Sequence, residues 1–288
     1  MKKSTLLFVF ISLFCFSQNQ RFTYLYQFVP DSTNKAERKA EILLLEVLPK
    51  FSKFYSQEVF KSDSAMNVAI TKELAATGSI NIKSNMKKGA FRDVVIKEFP
   101  NKNVFLFTRI GRTEFKVADE RKMIWKIQPE KEKIGVFTAQ KATTNFAGRK
   151  WTAWFTTEIA LQDGPYKFNG LPGLIIKLID DSDSHSFELK EIKNLTPEEI
   201  KEIDPAKNFV FNFREQLQID RTKFKNHYLE NREDPNKTIR SAMGQSDVKI
   251  INNNGNSMFS AEDLRLREKQ QKEKNAKDNN ILEIDLLK

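Results

Sequence analysis

Few residues in this chain have the types and spacing that metal binding requires. The two histidines, His185 and His227, lie far apart and outside any HExxH or HxH pattern. Asp181 and Asp183 begin an acidic stretch that resembles a calcium loop. It lacks the glycine at the sixth position, and Ile192 stands where the twelfth position needs a glutamate. We therefore expect no metal and no cofactor. We expect the acidic stretch to form a hairpin tip and both histidines to occupy surface or hairpin positions.

Two further residues are candidates for a ligand-binding site. Glu215 shares a strand face with Phe213 and Leu217, where apolar surroundings would raise its pKa, as in a general acid. The alternative is a β-bulge or a rim position that lets Glu215 reach water. Trp154 lies on the polar face of its strand, opposite Trp151, and either stacks on a ligand or partner or lies beneath a helix or the C-terminal arm.

A turn rich in glycine and proline precedes the apolar run from Leu174 to Ile179. A phosphate-binding loop needs a helix start after its glycines, whereas this run begins a strand. We therefore predict a structural corner, with Pro172 and Gly173 as the central pair of a type II turn and a left-handed bend at Asn169 and Gly170. The predicted structural residues are Gly164, Pro165, Gly170, Pro172 and Gly173.

Alternation of apolar and polar residues predicts the elements that position these side chains. The aromatic residues Phe22, Tyr24, Tyr26 and Phe28 share one face, and similar runs recur along the chain. Further predicted strands are 42–48, 94–99, 104–108, 123–127, 135–146, 151–156, 174–179, 187–192 and 209–219. Short polar links favour antiparallel pairing. We predict a mainly β fold, a large curled antiparallel sheet or open barrel, with a few short helices.

The helices and the domain limits follow from caps and composition. The region 57–76 is ambiguous, but 64–77 fits one helix ended by Gly78; further helices are predicted at 195–203, with Thr196 and Glu199 as a capping box, and at 220–233. Residues 18–233 form the β-rich domain. A polar arm, partly helical or disordered, covers 234–280, with a helix start at Ser260, and 281–288 is a predicted terminal strand or a partner-binding tag.

The N-terminus has the pattern of a secretory signal peptide over residues 1–17. Two lysines precede an apolar run from Leu6 to Phe16 that is too short to span a bilayer. Cleavage after Ser17 would remove the single cysteine, Cys15. The alternative is lipoprotein processing at Cys15, which the bulky Phe14 disfavours. No other segment is apolar enough to cross a membrane, although peripheral contact stays open.

The net charge of +10 raises the question of an anionic partner. The lysines are scattered along the chain, and an exported protein rarely meets nucleic acid, so we expect no nucleic-acid partner. A solvated surface explains the charge. The more specific alternative is that the basic surface of the protein is weakly attracted to anionic envelope material.

The stretch "FNGLPGLI" at 168–175 resembles the signature of the GLPGLI family of exported proteins from Gram-negative bacteria. The segments "SKFYS" at 52–56, 125–165 and "NNILEIDLL" at 279–287 resemble family patterns in the same order. Ala139 replaces the usual cysteine, and Ile281 replaces a proline. The resemblance implies export, one β-rich domain and a periplasmic or outer-membrane location. It carries no catalytic residues.

These observations favour a non-catalytic cell-envelope protein with a binding or scaffolding role, whose partner is an apolar small molecule or another envelope protein. The alternatives are a hydrolase that uses carboxylate acid/base chemistry and an adaptor that pairs through the C-terminal arm.

Overall fold

The structure, a computed structural model, describes residues 19–78, 89–111, 113–203, 216–237, 239–241 and 260–288. Its strands are β1 (Gln20–Phe28), β2 (Lys39–Val47), β3 (Phe51–Ser56), β4 (Val94–Glu98), β5 (Val104–Ile110), β6 (Thr113–Asp119), β7 (Lys126–Ile134), β8 (Phe137–Phe146), β9 (Arg149–Thr156), β10 (Leu174–Asp180), β11 (His185–Asn194) and β12 (Leu217–Asp220). Helices α1 (Gln57–Thr77), α2 (Pro197–Glu202), α3 (Arg221–Glu233) and α4 (Ala261–Lys277) accompany them, with a 3₁₀ helix at Ile284–Leu287.

All twelve strands form one sheet, in the order β12-β6-β5-β4-β3-β2-β1-β11-β10-β9-β8-β7. Strands β1–β6 and β7–β11 are two antiparallel meanders, joined where β1 pairs with β11. The sheet stays open, because β12 and β7 are its two edges within the described residues. The predicted mainly β fold with a large antiparallel sheet is confirmed. The exception is β12, which pairs with β6 in parallel.

Alternation gives the sheet one face that carries the main core. On β1, Phe22, Tyr24 and Tyr26 are buried in this core, as the sequence predicts, and on β9 Trp151 and Phe155 join them. We call this side the inner face. The long connection between β9 and β10, α3 and the C-terminal segment add buried residues to the same cluster. The inner face is therefore where the chain's distant parts meet.

The opposite, outer face has a smaller apolar cluster on β2–β5, which contains Leu44, Tyr55 and Phe107. Phe60 of α1 packs on Tyr55, with ring centroids 5.3 Å apart. Helix α1 therefore covers part of the outer face.

Three predicted helix ends are confirmed. Helix α1 begins earlier than predicted, with Ser56 as its N-cap, and ends as predicted at Gly78, which adopts the left-handed conformation with φ of 68°. Thr196 and Glu199 form the expected capping box of α2, and Ser260 caps α4.

Some predicted elements differ from the structure or lie outside it. The predicted terminal strand at 281–288 is wrong, because Ile284–Leu287 is a 3₁₀ helix. Strands β3 and β6 were not predicted from alternation, and β7 (Lys126–Ile134) shares only residues 126 and 127 with the predicted 123–127 strand. The predicted signal peptide and most of the 209–219 strand lie outside the described residues, whereas β12 covers Leu217–Asp220.

Candidate ligand-binding site

A pocket of about 300 Å³ lies between the inner face of the sheet, α3 and the C-terminal segment. We call it the inner pocket. Its aromatic lining is Tyr26, Phe28, Phe91, Tyr166, Phe224 and Tyr228. Its titratable lining is Arg92, Asp93, Arg109, His185, Asp278 and Glu283. The volume is at the lower limit for small-molecule sites, and the mixed lining suits an amphipathic ligand.

Ring packing holds one wall of the inner pocket in place. Tyr26 stacks on Phe28 with ring centroids 4.9 Å apart and on Phe187 at 4.4 Å. Phe91 meets Tyr166 edge to face at 6.1 Å. Offset and edge-to-face pairs of this kind add to the stabilisation from buried area. The aromatic wall is therefore formed without a ligand.

The other wall is the closing segment, residues 278–287. Arg149 of β9 donates to Asn280 Oδ1 at 2.6 Å and to the carbonyl oxygens of Ile281 at 2.7 Å and Leu282 at 3.2 Å. Asn280 in turn donates through Nδ2 to the carbonyl of Val29 at 2.8 Å. Arg149 thus uses the carbonyls that a strand would need for its ladder, which explains the missing terminal strand.

Glu283 anchors the middle of the closing segment in a buried charge cluster. Its carboxylate accepts hydrogen bonds from Lys167, from Tyr166 Oη at 2.6 Å, and from Arg121 and Arg221 at 2.9 and 2.8 Å. Burial opposes ionisation of Glu283, but the charges of these three cations outweigh it and hold its pKa far below the usual range. The segment is therefore fixed by charge as well as by the buried Leu286.

His185 is the first residue of β11, beside the β10–β11 turn, so of the two expected positions it takes the hairpin one, and it is buried there. Its Nε2 is 2.8 Å from the carbonyl oxygen of Asn280, which only accepts, so Nε2 carries the proton. Its Nδ1 accepts from Tyr26 Oη at 2.7 Å. Burial, helped by the charge of Arg149, lowers the pKa of His185 to about 4. His185 is a neutral structural residue with both nitrogens in use.

His227 is exposed on α3, with its ring 5.4 Å from that of Phe115, and agrees with the expectation of a surface position. The acidic stretch after Asp180 is the turn between β10 and β11, as predicted, and Asp180 accepts the backbone N–H groups of Ser184 and His185.

Asp93 and Asp278 are the two aspartates of the inner pocket lining, and neither forms an ion pair among the described residues. Thr108 Oγ1 donates to Asp93 Oδ1 at 2.7 Å, and within the described residues Asp93 forms no ion pair. Burial raises its pKa. Several other buried carboxylates in the described chain form ion pairs, for example Asp163 with Lys97 and Asp180 with Arg149. Asp93 is therefore available to a ligand.

The connection between β9 and β10 folds around a buried lysine. Lys97 of β4 pairs with Asp163, and its ammonium group donates to the carbonyls of Gly164 at 2.7 Å and Tyr166 at 2.9 Å. Burial lowers the pKa of Lys97. The glycine- and proline-rich stretch is thus held against the sheet by one side chain.

The conformation of this stretch corrects the predicted type II turn. Gly170 has a left-handed φ of 92°, as expected, but Gly173 does not adopt positive φ. Instead Gly173 N–H donates to the carbonyl of Leu171 at 2.8 Å, a γ-turn centred on Pro172. Glycine is needed at 173 because a Cβ would lie 2.1 Å from the carbonyl oxygen of Thr156. The close approach of the Thr156 carbonyl, rather than a positive φ, therefore requires glycine at 173.

The other predicted turn residues also pack closely. A Cβ at Gly164 would lie 2.8 Å from the side chain of Ile175, and the carbonyl of Pro165 accepts from Phe168 N–H at 3.1 Å. Gly170 also borders a surface hollow of about 740 Å³ whose rim includes Lys102 and Arg121.

Of the two ligand-binding candidates from the sequence, the structure describes only Trp154. Trp154 lies on β9, is partly buried and packs against the main core cluster, and it is not part of the pocket lining. Glu215 lies outside the described residues. Sequence reasoning missed Asp93, Lys97 and Glu283. A lysine inside the apolar strand Val94–Glu98 was the available signal for Lys97. No local sequence pattern indicates the position of Asp93, because the residues around it come from distant segments of the chain.

Within the described residues, no helix has the length and hydropathy to cross a membrane. A family model described as a protein of unknown function (Porph_ging) matches residues 145–177, which include the glycine- and proline-rich stretch. No curated protein matches the chain.

Two solved structures of PNGF-II are similar to this chain in fold. The structure in the C2 space group has a TM-score of 0.51 at 16% identity and covers 75% of this chain and 33% of its own. The structure in the P21 space group has a TM-score of 0.50 at 15% identity, with 75% and 34% covered. This chain therefore spans about a third of the length of the solved proteins it matches, and at this identity the likeness concerns the fold alone.

Proposed function

We propose that this protein is an exported, non-catalytic binding protein of the cell envelope and that a small amphipathic molecule occupies the inner pocket. The observation that carries the proposal is a pre-formed aromatic pocket whose lining includes a carboxyl group, Asp93, that forms no ion pair among the described residues. Pockets that combine an apolar lining with few polar groups are typical of ligand sites.

The chemistry around the pocket supports binding over catalysis. His185 uses both ring nitrogens, on Tyr26 and Asn280, and is neutral above its low pKa. Glu283 is surrounded by Lys167, Arg121 and Arg221. A general base needs a free lone pair within reach of the substrate, and these groups have theirs in use.

Asp93 gives the ligand a preferred orientation. Its Oδ1 already accepts from Thr108, so a ligand hydroxyl, amide or ammonium would donate to the carboxyl group from the pocket side. The apolar part of the ligand would lie against Phe28, Phe91 and Tyr228.

Export is part of the proposal and rests on the signal-peptide pattern of residues 1–17. Fractionation of cells that express the full chain tests it. Recovery of the protein in the cytoplasm with residues 1–17 still attached would contradict it.

The ligand is tested by native mass spectrometry of protein extracted without detergent. We expect a bound small molecule on the wild type. Ala90→Phe fills the pocket with an aromatic ring and should lose it. The matched control Ala76→Phe, on the exposed side of α1, should keep it. A wild type without bound molecule, or equal occupancy of Ala90→Phe, argues against the inner pocket as the site.

A hydrolase is the second candidate, because burial raises the pKa of two carboxyl groups, Asp93 and Asp278, that line the same pocket. Incubation of the protein with the ligand identified above separates the two functions. Turnover that Asp93→Asn abolishes supports the hydrolase, and recovery of intact ligand supports the binding protein.

A further inference from the structure

A second pocket, of about 360 Å³, lies between the β5–β6 turn, α3 and α4. Three arginines line it, Arg109, Arg232 and Arg267, and we call it the arginine pocket. The side chains of Asn231, Gln271 and Asn275 line it as well. This concentration of guanidinium groups distinguishes the pocket from the rest of the described surface.

Two of these arginines, Arg232 and Arg267, form no ion pair among the described residues. The half-buried Arg232 donates to the carbonyl oxygen of Asn275 and to Tyr228 Oη. Arg109 differs, because it pairs with Glu114 at 3.0 Å. The carboxyl group in the lining is that of Asp278, whose pKa is raised by burial.

Several other arginines of the described chain form ion pairs with acidic side chains. Arg21 pairs with Glu46, Arg121 with Asp119 and Arg149 with Asp180. The arginine pocket therefore carries three guanidinium groups against the single carboxyl group of Asp278 in its lining.

We propose that the arginine pocket binds a phosphate group, held by the guanidinium groups of Arg232 and Arg267. Guanidinium offers paired N–H donors that match a phosphate in geometry, and charge-assisted hydrogen bonds are about twice as strong as neutral ones. Carboxamide groups at the rim supply further donors.

The phosphate site adjoins the inner pocket. Arg109, Tyr228 and Asp278 line both, so an organic phosphate can place its anionic group among the arginines and its apolar body among the aromatic rings. Only this connection rests on the proposed function. The phosphate site itself stands on the arginines.

The test is isothermal titration calorimetry of the full protein with inorganic phosphate and with hexyl phosphate, in a buffer without other multivalent anions. We expect binding of phosphate to the wild type that weakens as sodium chloride is added. Arg267→Ala should weaken it about tenfold, the effect of one lost charge-assisted contact. The matched control Arg265→Ala, on the same helix but outside the lining, should stay within about twofold.

Asp278→Asn provides a test that misfolding cannot imitate. It removes the carboxyl group that opposes an anion in the pocket, so phosphate should bind more tightly than to the wild type. No binding to the wild type, equal affinity of Arg267→Ala and wild type, or weaker binding by Asp278→Asn would each overturn the proposal.

The two phosphate ligands separate the possible sources. Equal affinities support a free phosphate ion as the natural ligand. Tighter binding of hexyl phosphate that Ala90→Phe abolishes supports an organic phosphate such as a lipid headgroup. In both cases the phosphate site stands, and only the second result joins it to the inner pocket.

Discussion

Gly170 and Gly173 lie three residues apart and are glycines for different reasons. Gly170 has a left-handed φ and open space around its Cα, whereas Gly173 has an ordinary φ and the carbonyl of Thr156 against it. Backbone strain from a left-handed φ is moderate for an alanine. A Cβ that clashes with backbone atoms can be accommodated only if the chain itself is displaced, which costs more free energy.

Gly173→Ala should therefore destabilise the protein more than Gly170→Ala. We expect a loss of at least about 3 kcal/mol in the free energy of unfolding for Gly173→Ala. For Gly170→Ala we expect about 1–2 kcal/mol. Urea unfolding followed by tryptophan fluorescence measures both. An equal or larger loss for Gly170→Ala would contradict the assignment of close approach at 173.

His185 makes stability depend on pH. Its pKa in the folded protein is about 4, below its ordinary 6.5, so the unfolded chain binds the proton first as the pH falls. The contribution of neutral His185 is therefore complete above pH 6.5 and declines between pH 6.5 and pH 4.

His185→Gln should flatten this part of the pH profile. Between pH 7 and pH 4.5 we expect the wild type to lose roughly 2–3 kcal/mol through this residue. His185→Gln is less stable at pH 7, because it loses the bonds to Tyr26 and Asn280, but its stability should change less with pH. His227→Gln, at an exposed position, is the control and should follow the wild type. Parallel profiles for wild type and His185→Gln would refute the account.

At the scale of elements, the closing segment is a short piece of chain with little regular structure, held by side chains from β9, from two connections and from α3. Arg149 of β9 binds its carbonyls, and Lys167 and Arg121 bind Glu283. Removing one partner of a buried ion pair leaves the others uncompensated, which costs more than the pair itself contributes. The segment's stability is therefore concentrated in a few side chains.

Glu283→Gln should lower the free energy of unfolding by about 3–5 kcal/mol at pH 7. Glu262→Gln, on the exposed first turn of α4, should change it by less than about 0.5 kcal/mol. Because the folded pKa of Glu283 is depressed, its contribution is present above its ordinary value of 4.5 and is lost as the pH falls below it. The difference in the free energy of unfolding between the two variants should thus be smaller at pH 3.5 than at pH 7, as measured by urea unfolding. A difference that is independent of pH would contradict the charge cluster.

At the scale of the whole molecule, one core joins the two meanders. The main cluster runs from Phe115 on β6 through Tyr24 on β1 to Ala142 on β8. The pairing of β1 with β11 adds a continuous ladder of backbone hydrogen bonds at the junction. Cooperative unfolding is expected where so much of the core is shared.

Tryptophan fluorescence and far-UV circular dichroism should therefore report one coincident urea transition. The tryptophans at 125, 151 and 154 all belong to the β7–β11 half, whereas circular dichroism senses both halves. Gly173→Ala should shift both signals equally. Separate midpoints would mean that the meanders unfold independently.

Local patterns predicted the elements well. Tyr24 and Trp151 lie on the buried faces that alternation assigns to them, and Thr196 caps α2 as its spacing predicts. These features depend on a few neighbouring residues, so the sequence alone contains them. Glu283 shows the limit. Its alternation with apolar residues is typical of a strand. In the structure, however, its carboxylate is buried against cations from distant segments, and Arg149 binds the neighbouring carbonyl oxygens.

The sequence by itself determined the mainly β class, most strands, the helix caps and the structural role of the glycine- and proline-rich stretch. The tertiary structure alone decided the order of the strands, the burial of His185 and the pocket around Asp93. The physical reason is range: periodicity and capping act over a few residues, whereas the inner pocket joins β1, β5, β11, α3 and the closing segment, whose contacts arise only once the sheet has assembled.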